Sequence, residues 1–437
     1  MRKKENAMLG FTAEEYRRFK RYAWKYLILY SLLYCFLYCT RLNIGSATPY
    51  LVEGGWTEST IGILTGTLFW TYGIGQLVNG RLSELVGPSK FIIAAVVLSA
   101  ASNFLIATQD AGSVAILAVI WGANGFFQSM GWTPGLAVLT RWWPGKSRGF
   151  ATGFANAFSG FGQVAASCAV LAAYAWAPQW GWKAAFLIPP CFSLAVLAVY
   201  LLCVKTSPAQ IGLRDYQEED PEKKEQERQM QAIVESRGVL YPYKYILSNK
   251  VFLIWIVIAF GTGLARYGLS TWIPLYFSQQ GFSAVASVAS SLILPIGMGI
   301  GTLVVPWLTD RVCPTERMPA AILSALIGAV TTIAIFAMDA SRPSQLVLVE
   351  IMLFVSGFCI YAINGIVFTY AADIGGRVFS GTCSGVLNFS AYLGAAVQSV
   401  VYGFVLTNGG WGIVFVSIAA FYLLIAALGI IGYRKKR

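Results

Sequence analysis

Apolar runs of about 20 residues recur along nearly the whole chain, parted by short polar stretches. A run of that length crosses a ~30 Å hydrocarbon layer as an α-helix. The pattern gives twelve, near 24–51, 59–82, 90–108, 113–139, 149–176, 183–203, 250–277, 285–308, 319–338, 345–372, 379–406 and 411–433. They predict an all-α membrane protein with twelve transmembrane helices. The longest polar stretch, Ser207 to Gly238, splits them six and six. Its charge and low hydrophobicity predict a cytoplasmic linker that can carry short surface helices. The expected divisions are an N-terminal segment over 1–23, a six-helix bundle over 24–205, a linker over 206–248, a second six-helix bundle over 249–433 and a tail over 434–437.

Composition supports this pattern and fixes an orientation. Of the 437 residues, 57% are hydrophobic and 12% charged, about half the charged fraction of a soluble protein. The formal net charge is +12, but its placement argues against nucleic acid. With the N-terminus inside, only Lys183 and Arg342 fall on the outside and only Arg41 and Arg266 lie deep within spans; the other Lys and Arg fall in cytoplasmic segments or at the cytoplasmic ends of spans. That asymmetry predicts cytoplasmic termini in a multi-pass inner or plasma membrane protein. The charged start and long first apolar run do not read as a cleavable signal. Eight cysteines, Cys35, Cys39, Cys168, Cys191, Cys203, Cys313, Cys359 and Cys383, lie mostly within spans without paired loop spacing and read as small packing residues.

The two halves repeat each other. Arg41 is followed eight residues later by Pro49, and Arg266 by Pro274. NGRLSELVGPSK, with Glu84, recurs as VPWLTDRVCPTER, with Asp310. In TGFANAFSGFG, Gly153, Asn156 and Gly162 correspond to Gly385, Asn388 and Gly394 in SGVLNFSAYLG. The shared order and offset, 225 to 232 residues, predict two pseudo-symmetric bundles related by an axis along the membrane normal. This arrangement resembles the major facilitator superfamily, in which substrate binds at the midplane between the halves.

Arg41 interrupts the apolar stretch YCFLYCTRLNIGSATPYL. Only 15 residues, Tyr26 to Thr40, precede it, about 22 Å of helix. A single helix is therefore expected to continue toward Leu51 with Arg41 inside the membrane. Arg266 repeats the geometry after Val251 to Ala265. Intramembrane charge is costly and faces an interior cavity or a partner. The repeat relation sets the two arginines across a central cleft. At ~8 Å and an effective dielectric of ~20, they would repel by about 2 kcal/mol. No acidic residue in the first six spans offers itself to Arg41, so the expected partner is a small anionic substrate. The planar forks suit phosphate or carboxylate oxygens. Tyr34 and Tyr38 share the Arg41 face. In the second half, Tyr361, Asn364 and Asn388 are expected to face the cleft.

The segments RLNIGSATPYL, YGIGQLVNGRLSE, QSMGWTPGLAVLTRWW, RYGLSTWIPLYF and SPAQIGLRD together resemble the organophosphate:inorganic phosphate antiporters, which include the glycerol-3-phosphate and hexose-6-phosphate transporters. The resemblance runs from about residue 20 to the C-terminus. It implies exchange of a phosphorylated metabolite for inorganic phosphate by alternating access. It places the phosphate-binding arginines on Arg41 and Arg266, site tyrosines on Tyr34, Tyr38 and Tyr72, the fifth-helix asparagine on Asn156, and a fourth-helix pair on Gln128 and Trp132. Glycerol-3-phosphate transporters carry a histidine where this chain has Ser159 and a lysine where it has Gln76, so these positions are expected to bear on the choice of organic moiety. A related family of organic-anion transporters also uses arginines in helices one and seven, leaving carboxylates such as sugar acids as the alternative cargo.

Other chemistry is excluded or unsupported. The chain has no histidine, so no Ser-His-Asp or Cys-His catalysis and no histidine metal site can form. Gly145–Ser147 is not a phosphate-binding loop, since that motif needs glycine where Thr140 stands. Neither enzyme activity nor a cofactor nor a metal is expected. A membrane sensor that binds the same ligand stays open, and one chain suffices for a functional monomer. Glu84 and Asp310 are expected to bridge helix ends on the cytoplasmic side as gating residues. Glu350 is the only carboxylate well placed near a span, and its position near the outer end of helix ten makes it a poor proton carrier.

Overall fold

The structure is a computed structural model that describes residues 11–143, 146–213, 221–238, 240–312 and 318–436. The side chains of some helical residues, among them Glu84, Ser159 and Asp310, lie outside the described set, as does Cys313.

Helices occupy all twelve expected positions. In the first half they are α1 (Ala13–Leu37), α2 (Asn43–Ser46), α3 (Thr48–Glu53), α4 (Glu58–Val86), α5 (Pro88–Ala107), α6 (Val114–Gln128), α7 (Trp132–Trp142), α8 (Lys146–Gly160), α9 (Gly162–Trp176) and α10 (Ala184–Cys203). Two helices, α11 (Pro221–Arg237) and α12 (Tyr241–Leu247), follow in the polar stretch. The second half comprises α13 (Lys250–Gln279), α14 (Ala284–Ser291), α15 (Ile293–Val312), α16 (Met318–Ala337), α17 (Pro343–Thr407) and α18 (Trp411–Lys436). The long α17 carries two crossing segments, Pro343–Val367 and Thr382–Thr407.

Ten segments among the described residues are long and apolar enough to cross a membrane. The α4 and α8–α9 spans pack against the second half, α4 on α17 and α8 on α15.

Local sequence sets several ends. Thr12 and Glu15 form a capping box at the start of α1, and the Asn249 side chain caps α13, each supplying acceptors to first-turn amides. Gly87, at φ 110°, makes the sharp turn between α4 and α5, a conformation that disfavours residues with a Cβ. Of the seven described cysteines, all free, Cys168, Cys191 and Cys203 are exposed rather than packed.

The largest departure from expectation is in the first span. It does not run unbroken to Leu51. After Leu37 the chain makes a 3-10 turn over Tyr38–Thr40, and α2 and α3 resume with changed direction. Arg41 sits in the break, at φ −125° and ψ −48°. Its counterpart Arg266 stands within α13, a continuous 30-residue helix. The repeated sequence landmarks therefore do not carry repeated backbone.

On the side of the protein away from the chain termini, the two halves meet closely. A Cβ on Gly45 would lie 3.2 Å from the Thr271 Cα, and one on Gly62 would overlap the carbonyl oxygen of Ser399. Ser59 Oγ and Thr407 Oγ1 are 2.8 Å apart, and Gln279 Nε2 reaches Glu58 Oε1 at 3.5 Å. This far side is sealed by backbone proximity. Gly62→Val must therefore part α4 from α17, because the obstructing atom is a backbone carbonyl. Labelling of a Thr407→Cys reporter by a membrane-impermeant maleimide should then accelerate severalfold relative to the same reporter with Gly62 intact.

Candidate functional site

The site begins with the break at Arg41. In an unbroken helix the carbonyls of Leu37 and Thr40 would accept from amides four residues on. Here the Arg41 amide turns to the Tyr38 carbonyl at 3.0 Å, sharing it with the Leu42 amide at 2.8 Å, and the Thr40 hydroxyl donates to the Leu37 carbonyl at 2.8 Å. Side-chain amides from neighbouring helices take over. Gln128 Nε2 donates to the Leu37 carbonyl at 3.2 Å and to Thr40 Oγ1 at 2.7 Å. Asn103 and Asn124 each donate to the Thr40 carbonyl, at 2.8 and 2.7 Å. Asn43 donates to Asn103 Oδ1 and to the Ala185 carbonyl, both at 2.8 Å. All of these side chains are buried.

The fourth span breaks beside the first, between Gln128 and Trp132, and the bracing is reciprocal. Tyr30 Oη donates toward the Gly131 and Trp132 carbonyls at 3.2 Å each, and Tyr26 Oη to the Gly135 carbonyl at 2.7 Å. Tyr26, Tyr30, Tyr34 and Tyr38, spaced four apart, run as a ladder of ring contacts up to Arg41. Trp132 packs on the Tyr34 ring at 4.9 Å.

Both guanidiniums lie against tyrosine faces. Arg41 is 4.2 Å from the Tyr38 ring and 4.8 Å from that of Tyr72. Arg266 is 4.7 Å from Tyr267 and 4.6 Å from Tyr361. Tyr38 lies within electrostatic reach of both arginines. Ring quadrupoles stabilise a desolvated cation by about 2 kcal/mol, less than an ionic partner would. Arg41 is only 2% exposed, and its Nε and Nη2 have no hydrogen-bond partner. Neither arginine forms an ion pair among the described residues. Guanidinium donors of this kind, planar and without a carboxylate partner among the described residues, have the geometry that suits phosphate or carboxylate oxygens.

The expected site residues divide by what they touch. Tyr34, Tyr38 and Tyr72 gather about Arg41, and Tyr361 lies on Arg266. Gln76 donates to Tyr72 Oη at 2.8 Å and accepts from Asn388 Nδ2 at 3.3 Å, linking the halves. Asn364 is half-buried on α17, and Asn156 is exposed on α8. Gln128 commits its amide donors to the first-span break. Besides Asn43, Asn103 and Asn124 at the break, Phe69, Tyr267 and Tyr392 enter that sequence reasoning did not name. Phe69 and Tyr267 rings are 4.3 Å apart, and Tyr72 and Tyr392 4.4 Å, joining the halves directly above the arginines. Helical spacing could have found two of them, since Phe69 is three residues before Tyr72 and Tyr392 four after Asn388. On the sealed side of Arg41 a closed cavity of about 10 Å³, lined in part by Trp121, Gln163, Ser270 and Thr271, is far too small for cargo.

Fold and site together define a helical membrane protein with two arginines lying on tyrosine faces between its two halves. The sequence profile of the Major Facilitator Superfamily matches residues 30–399, and the chain belongs to that family. It is 27% identical to a glycerol-3-phosphate transporter of Bacillus subtilis, over 85% of this chain and 83% of the relative. It is 24% identical to the membrane sensor protein UhpC of Escherichia coli, over 87% and 86% of the two chains. A bacterial homologue of the human lysosomal transporter Spinster, in an inward-facing, unoccupied conformation, shares the fold with a TM-score of 0.76, covering 94% of this chain and 97% of its own at 17% identity. These relatives are consistent with the organophosphate:phosphate antiporter group.

Lysine at either arginine keeps the charge but loses the fork and the flat face that lies on tyrosine. Arg41→Lys and Arg266→Lys should each lower affinity for inorganic phosphate at least a hundredfold in titrations of the purified protein. The thermal unfolding midpoint should stay within a few degrees of the parent.

Proposed function

We propose that this protein is a secondary transporter that exchanges a phosphorylated metabolite, of the glycerol phosphate or sugar phosphate class, for inorganic phosphate. The observation that carries the reading is the pair of arginines on tyrosine faces with no carboxylate partner among the described residues. An empty centre holds two like charges, which disfavours crossing; a bound dianion offsets them and draws the halves together. Each reorientation then requires cargo, which is the condition for exchange. The two six-helix bundles, 24–205 and 249–433, act as the rocking units, with Glu84 and Asp310 as cytoplasmic gating residues. The sealed far side corresponds to a state open toward the cytoplasm, where both termini lie in a plasma membrane. The protein works as a monomer and is not an enzyme. The relation to the glycerol-3-phosphate transporter supports the phosphorylated ligand. The relation to UhpC favours a second reading, a sensor that binds such a ligand without moving it.

Uptake into proteoliposomes separates the readings. Radiolabelled phosphate should enter vesicles preloaded with phosphate at least tenfold faster than empty ones. Strong uptake into empty vesicles under a pH gradient would replace exchange by proton coupling, and saturable binding without uptake would establish the sensor.

The Gln76–Asn388 contact and Ser159 are proposed to select the organic moiety. Gln76→Lys with Ser159→His should reorder competition among glycerol phosphate, hexose phosphates and phosphoglycerates in counterflow. Affinity for phosphate itself should change by less than about threefold.

A further inference from the structure

Arg41 is held by something the repeat does not supply to Arg266. Its backbone lies in a break within the membrane, where an unpaired carbonyl would cost several kcal/mol for want of water. The Leu37 and Thr40 carbonyls meet three carboxamides from two other spans, Asn103 of α5 and Asn124 and Gln128 of α6. Asn103 and Asn124 are 0% exposed and Gln128 2%. Asn103 is itself fixed by Asn43, which follows the break, so both sides of Arg41 are tied to one network. Two donors converge on the single carbonyl immediately before Arg41, which occupies both lone pairs of that oxygen.

We infer that Asn103, Asn124 and Gln128 are positioning residues for the anion site: they hold the first span open at Thr40–Arg41 and so set where the Arg41 guanidinium meets the ligand. The inference deepens the anion-site reading and rests on it for the effect on affinity. Without these donors the freed Thr40 carbonyl favours re-formation of helical hydrogen bonds across Tyr38–Ile44, while the Leu37 carbonyl keeps the Thr40 hydroxyl. That change rotates Arg41 off the Tyr38 and Tyr72 faces. Misplacement by an ångström is enough to cost one or two orders of magnitude in a preorganised site. Gln128 then acts through Arg41, which also explains why a residue expected at the ligand turns toward the neighbouring helix.

A matched control exists in the same bundle. Asn79 is equally buried and donates to Ser129 Oγ at 2.6 Å and the Phe126 carbonyl at 3.3 Å, joining α4 to the fourth-span break without reaching the first-span break at Thr40–Arg41. The experiment compares Asn124→Leu, Gln128→Met and Asn79→Leu in the full chain by phosphate titration, by the split between KM and maximal exchange rate, and by hydrogen–deuterium exchange resolved to peptides. Asn124→Leu and Gln128→Met should weaken phosphate binding about tenfold or more and raise KM, with maximal rate within about threefold. They should alter amide exchange selectively between residues 37 and 47. Asn79→Leu should lower the unfolding midpoint comparably and leave phosphate affinity and that segment unchanged. Gln128→Met, closer in shape, keeps the test alive if Asn124→Leu does not fold. Unchanged exchange in 37–47 in the folded variants, or an equal loss of affinity in Asn79→Leu, overturns the positioning role. If the parent protein shows no saturable phosphate binding, the anion reading falls instead, and amide exchange still decides whether the clamp holds the break.

Discussion

A guanidinium buried without a carboxylate is the constraint around which this molecule is arranged. Deprotonation offers no escape for arginine, and hydrocarbon or packed protein solvates the charge poorly. The protein surrounds each cation with aromatic faces rather than anions: Tyr38 and Tyr72 for Arg41, Tyr267 and Tyr361 for Arg266. Such faces stabilise positive charge while leaving N–H groups uncommitted, as at Arg41 Nε and Nη2. A permanent ion pair would have satisfied those groups and closed the centre to an incoming ligand.

That choice propagates outward through the packing. The tyrosines under the arginines also form the contact between the halves, through Phe69 with Tyr267 and Tyr72 with Tyr392. Any ligand that moves a guanidinium therefore disturbs rings shared by both bundles. Beyond the rings, α4 and α17 approach closely enough at Gly62 that no Cβ fits. The centre and the far-side seal are mechanically continuous, joined along α4 from Gln76 through Tyr72 and Phe69 to Gly62.

Broken spans one and four give this arrangement its local stiffness. Each break exposes carbonyls, and each is satisfied by the other span: Gln128 serves the first, Tyr26 and Tyr30 the fourth. Irregular backbone at membrane depth is tolerated where it is covered by protein and its polar groups are paired. The result is an arginine mounted on backbone that a continuous helix could not have presented.

The apolar runs located the helices, because length and hydropathy mark what crosses a bilayer; ten segments among the described residues meet that measure. Arg41 and Arg266 stood out for the same reason, as charges in runs that otherwise exclude them. The repeat was legible from spacing, and with it the expectation that both arginines face one centre. The break at Arg41 was not legible. Nothing within YCFLYCTRLN forces the helix to stop; the carboxamides that compensate its lost hydrogen bonds stand 60 to 90 residues away in sequence. For the same reason the role of Gln128, donating to a neighbouring backbone, was invisible in its own span. Pairing of polar groups across helices is a property of packing, and only the tertiary structure assigned the partners.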